Sequence, residues 1–208
     1  AYSDPNRLPS ATQGLTLTDI SPPRISWFIP HGAAIDDAAG MAAAKRLWTQ
    51  TPALTDSGLF FVDRRVQSKF VTALGEKFQD ASVGDPGDTK TDVGPLPSAE
   101  ARQLLHDCIR RAVSAGAQCH RWQGTLPKGG FYYPPTVLFD VTVDMEVART
   151  GIDGTVAVVV AVDSWPEAEG ISRRRGDDGL RMTNRVFEEN RPLPPPLVRN
   201  GFAEEAAI

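Results

Sequence analysis

Few residues in this 208-residue chain have side chains suited to covalent or metal chemistry. They are Cys108, the pair Cys119-His120, His106, and the run Arg173-Arg174-Arg175. A cysteine thiolate is the strongest side-chain nucleophile, so the thiols come first. Cys108 lies in an apolar series with 3,4 spacing: Ala101, Leu104, Leu105, Cys108, Ile109, Ala112 and Val113. That pattern marks the inner face of a helix, and Cys108 on it reads as a packed thiol rather than a nucleophile. His106 falls on the opposite face, toward solvent. Cys119 and His120 together offer two ligands where zinc needs four, so no metal is expected. The three arginines can attract an anion, but beside Asp177 and Asp178 they read as a solvated, internally paired turn.

The elements that must position these residues follow from periodicity. Ile25-Ser26-Trp27-Phe28-Ile29 reads as a strand closed by Pro30. Ile35 to about Trp48 reads as a helix, with Asp36 and Asp37 near its positive end. Gly58–Val62 is a second strand. Val66, Phe70, Val71, Leu74 and Phe78 mark a second helix. The apolar series predicts a helix over residues 98–115, started by Ser98, stopped by Gly116, and turning Leu104, Leu105 and Cys108 inward. Val156–Val162 is continuously apolar, as in a central parallel strand covered on both faces. Pro166 to about Ser172 is a short helix, and Met182–Phe187 a last strand. Alternating strands and helices imply a three-layer α/β sandwich with a mostly parallel sheet. Residues 1–23 read as an N-terminal extension, 24–190 as the core, and 191–208 as a Pro-rich tail.

Totals exclude several classes. Hydrophobic residues make up 41% and charged residues 23%, an ordinary globular balance. A net charge of −4 provides no basic field for nucleic acid. No apolar run reaches membrane-span length, and Ala1–Pro9 lacks a signal-peptide core. Two cysteines are too few for a disulfide framework. The expectation is a soluble, cytoplasmic protein with no nucleic-acid or membrane partner.

The most specific signal is an ordered set of motifs. Val83-Gly84-Asp85-Pro86 leads to Asp92-Val93-Gly94-Pro95-Leu96. The helix over 98–115 follows, then Gly129-Gly130-Phe131, Pro134-Pro135-Thr136-Val137-Leu138 and Asp140-Val141. This order resembles the catalytic domain of the aldehyde dehydrogenase superfamily, across residues 24–187. The resemblance implies that family's catalytic-domain fold. It also implies where the parent chemistry would sit, and those positions have changed. The family's nucleophilic cysteine falls on Leu54 or Thr55. Asp19 is the acid closest to the general-base position, in Leu17–Pro23. The glutamate that holds the nicotinamide ribose falls on Gly151, with Asp153 at a neighbouring aromatic position. No glycine-rich dinucleotide turn is present in the sequence.

What the resemblance implies is a redox-inactive relative needing no cofactor. Removing members of a catalytic unit costs roughly 10³–10⁶ in rate. The altered face carries acids and hydroxyls: Asp19, Thr55, Asp56 and Asp153 as catalytic candidates. Trp48, Gln50 and Leu54 are candidate substrate-binding residues. Such groups support proton transfer, or shape a largely apolar small molecule for cyclisation, isomerisation, dehydration or hydrolysis. The alternative is a non-catalytic pseudoenzyme acting as a binding or scaffold subunit. A catalytic domain without its usual neighbour exposes apolar surface, so a homo-oligomer, a dimer first, or a tight hetero-partner is expected. Sedimentation at high micromolar concentration is expected to show association; a clean monomer contradicts it.

Overall fold

The computed structural model describes residues 25–47, 56–152, 154–177 and 179–183. The expected extension 1–23 and tail 191–208 lie outside them. In chain order the elements are β1 (Ile25–Ile29), α1 (Ile35–Leu47), β2 (Asp56–Asp63), α2 (Gln67–Gln79), α3 (Ala99–Ser114), β3 (Gln118–Arg121), β4 (Thr136–Phe139), α4 (Glu146–Thr150), β5 (Val156–Val162), α5 (Trp165–Arg175) and β6 (Gly179–Met182).

The strands form one sheet in the order β3-β4-β5-β2-β1-β6. Only the β3–β4 pair is antiparallel. Side chains alternate along a strand, so β2 feeds both faces. Phe60 and Val62 pack with α1 and α2, while Leu59 and Phe61 pack with α3, α4 and α5. This is the expected three-layer sandwich with a mostly parallel sheet. β5 lies between β4 and β2, buried at every position except Ala161, as its unbroken apolar sequence requires.

The motif residues tie the frame together. Val83 bridges to Val93, the Asp92 carboxylate accepts from the Ser82 N–H at 2.9 Å, and Leu96 bridges to Phe131. The Gly94-Pro95-Leu96 stretch and the Gly129-Gly130-Phe131 segment are therefore adjacent in space, although α3 and β3 separate them in sequence.

α3 begins as expected: the Ser98 side chain accepts from the Ala101 N–H at 3.1 Å. Its burial is narrower than the apolar series. Leu105, Ile109 and Ala112 are buried and Cys108 is half-buried against the same cluster, but Leu104 is 70% exposed. At 3.6 residues per turn, Leu104 and Val113 lie roughly 100° and 80° to opposite sides of Leu105. The sheet contacts the centre of the stripe and leaves both margins in solvent. His106 is likewise on a margin, not on the opposite face; its Nδ1 lies 3.3 Å from the Tyr133 hydroxyl.

Two further expectations need correction. Arg173-Arg174-Arg175 is the last turn of α5, not a polar turn, because the stop is Gly176 in the left-handed conformation. Cations there also suit the negative helix end. The last strand occupies Gly179–Met182, ahead of the expected Met182–Phe187; residues 184–187 lie outside the described residues. β3, β4 and α4 were not expected at all.

The Leu104/Leu105 contrast is testable by urea denaturation. Leu105→Ala is expected to cost about 2–4 kcal/mol, and Leu104→Ala to stay within about 0.5 kcal/mol. Equal costs would refute the helix register.

Candidate functional site

β2 and β5 are parallel and start at the same edge of the sheet, where α1 also ends. This is the edge to which the motif resemblance assigns the parent chemistry. A buried cation organises it. Arg46, in the last turn of α1, is only 4% exposed. Among its contacts, Nη2 donates to the Gly154 carbonyl and, at 3.2 Å, to the Ile152 carbonyl. A guanidinium survives burial only when oxygen acceptors replace its lost water. The helix C-terminus, carrying partial negative charge, adds to that stabilisation.

Gly58 makes room for the group. Its φ is +66°, and a Cβ there would stand 2.9 Å from Arg46 Cζ. Any other residue would meet both backbone strain and the guanidinium. Arg46 thus joins α1 to the turn that leads into β5, while Gly58 brings β2 against it.

The seven site residues expected from sequence fare unequally. Asp19, Thr55, Asp153, Trp48, Gln50 and Leu54 lie outside the described residues. Asp56 is described through its backbone alone: it opens β2, in register with Ile25 of β1. The main chain on both sides of Asp153 is held by Arg46. Sequence reasoning missed Arg46, although a signal existed. Ala39, Ala42, Ala43 and Arg46 share the 3,4-spaced inner stripe of α1, and a lone Arg on such a stripe needs buried acceptors.

Gly151 follows α4 with φ 77° and ψ 177°. Standing where the family's ribose-binding glutamate would be, it has no side chain to accept from ribose hydroxyls.

Two titratable groups elsewhere are structural. Burial pushes the Cys108 thiol up, reinforced by Glu146, which favours the neutral thiol. At the opposite edge of the sheet, Asp63 ends β2 with its side chain 4% exposed. Arg65 donates to both of its oxygens, at 2.9 and 2.6 Å. Those bonds hold the Asp63 carboxyl at about 2, against an ordinary 3.8. It therefore stays ionised near neutrality and cannot relay protons there. Among the described residues no group of three or more His, Cys, Asp or Glu is placed to hold a metal. No described helix is long and apolar enough to cross a membrane.

Comparison with known proteins places this geometry. The profile of the aldehyde dehydrogenase family matches residues 26–174. An aldehyde dehydrogenase of Paenarthrobacter nicotinovorans is 36% identical over 149 residues, covering 70% of this chain and 32% of that protein. An NADP-dependent succinate-semialdehyde dehydrogenase of Mycobacterium avium is 33% identical over 167 residues, covering 79% and 35%. The chain thus spans about a third of the length of these curated relatives. Among solved structures, Escherichia coli lactaldehyde dehydrogenase superposes with a TM-score of 0.63 at 23% identity, over 79% of this chain and 39% of that one. At that identity the likeness concerns the fold alone.

Arg46→Met is expected to destabilise the protein by about 3 kcal/mol in urea unfolding, because it strands two carbonyls that a charged donor satisfies. A cost near zero would show that the guanidinium is not a structural tie.

Proposed function

The chain belongs to the aldehyde dehydrogenase family, and from that premise we propose that it is a redox-silent member. Its parental catalytic face would serve a non-redox step without a cofactor. The single observation behind this reading is Arg46. A buried, hydrogen-bonded guanidinium bridges the segment where Gly151 stands in place of the ribose-binding carboxylate. The position matched to the parent thiol is Leu54 or Thr55. Neither can form the thiohemiacetal from which hydride would leave.

The buried cation also favours a catalyst over a passive remnant. Fixed charge against the Ile152 and Gly154 carbonyls can stabilise developing negative charge nearby without reorganising during reaction. Asp19, Thr55, Asp56 and Asp153 would then move protons on a largely apolar small molecule, with Trp48, Gln50 and Leu54 shaping its binding. The second reading is a binding or scaffold subunit, dimeric or joined to a hetero-partner. It draws on apolar side chains left in solvent, Leu104 above all, with Val113, Phe131 and Val143.

Calorimetric titration with NAD and NADP is expected to show no micromolar binding. Added succinate semialdehyde or lactaldehyde, aldehydes named for the relatives, should give no reduced nicotinamide. Micromolar affinity or reduction dependent on this protein would overturn redox silence.

A further inference from the structure

We propose that the cleft between α3 and the edge strand β3 binds a small oxyanion carried on a flat ring, an aryl carboxylate or aryl phosphate. The cleft is open to solvent and offers about 520 Å³, room for a small molecule. Its described lining includes Arg110, Arg121, His106 and His120 and no carboxylate. That is a concentration of donors in a chain whose net charge is −4. Arg121 forms no salt bridge among the described residues. Arg110 meets Asp107 at 3.4 Å and remains largely exposed. Guanidinium groups so placed present paired donors that match a carboxylate or phosphate.

The walls are held in advance of any ligand. Gln79 donates from Nε2 to the Arg121 carbonyl at 2.8 Å and accepts from the Gln123 N–H at 3.0 Å. The Trp122 N–H donates to the Pro135 carbonyl at 2.9 Å. The Trp122 indole lies so close to Gly124 that a Cβ there would be 2.1 Å from its Cζ2. The His120 ring stacks on Phe139, with centroids 4.8 Å apart and planes 15° apart. Contacts that fix a site beforehand lower the ordering cost of binding. Trp122 adds a flat face beside the guanidinium donors, which is why a ring-bearing anion suits the cleft better than a bare one. The cleft shares no residue with the Arg46 face, so this proposal stands or falls independently of redox silence.

Calorimetric titrations of the full chain with benzoate, phenyl phosphate, inorganic phosphate and benzyl alcohol test it. Saturable submillimolar binding of benzoate or of phenyl phosphate is expected, and whichever binds tighter identifies the head group. Arg110→Gln and Arg121→Gln are each expected to weaken it roughly tenfold. Arg102→Gln, exposed on the same helix outside the cleft, should leave it unchanged. Trp122→Ala should weaken the aryl anion while leaving inorganic phosphate unaffected. Failure of both aryl anions to saturate in the millimolar range would overturn the proposal. So would equal weakening by Arg102→Gln, since bulk charge would then explain the binding. Benzyl alcohol binding as tightly as benzoate would remove the anion, and inorganic phosphate binding as tightly as phenyl phosphate would remove the ring.

Discussion

A guanidinium buried against two main-chain carbonyls is the constraint around which this domain's altered face is arranged. Arg46 cannot return to water without unravelling the last turn of α1 or opening the turn before β5. Its bonds to Ile152 and Gly154 fix the entry to the central strand, and Gly58 accommodates its planar end. The parent family needs a reactive thiol and a ribose-holding carboxylate near this edge. Here the described part of the edge is held by a buried cation. The bonds to Ile152 and Gly154 make Arg46 a structural tie, and the same fixed charge is what the proposed catalytic reading draws on.

The rest of the sandwich makes that constraint sustainable. β5 is flanked on both sides and buried on both faces, so its backbone offers a stiff support for the turn that Arg46 grips. At the far edge Asp63 is buried and paired with Arg65, a second charge made tolerable by direct hydrogen bonds. The two edges thus carry buried charge of opposite sign. Neither charge is poised to titrate near neutrality: a guanidinium stays protonated, and Asp63 is held well below the usual carboxylate range.

Much of the frame was legible from periodicity. The strand at Ile25–Ile29, the run Val156–Val162 and the helix after Ser98 emerge with little displacement, because long apolar patterns survive tertiary context. Short elements such as β3, β4 and α4 left no such trace. β3, Gln-Cys-His-Arg, has three of four residues exposed and shows no inward alternation. Leu104 was misplaced because an apolar stripe wider than the contact surface leaves its margins in solvent. The arginines of α5 were taken for a turn because polarity outweighed the glycine that ends the helix. At the site, lineage identified the altered edge, but most of the residues it pointed to lie outside the described segments. The residue that organises the described part was hidden inside a stripe of alanines, where a charged side chain is easily passed over.

Side-chain NMR of the Arg46 guanidinium tests the central claim most directly. The account predicts resolved, slowly exchanging Nη protons, restricted rotation about Nε–Cζ, and hydrogen-bond couplings to the carbonyl carbons of Ile152 and Gly154. Averaged, fast-exchanging signals like those of the exposed Arg102 and Arg110 would contradict it.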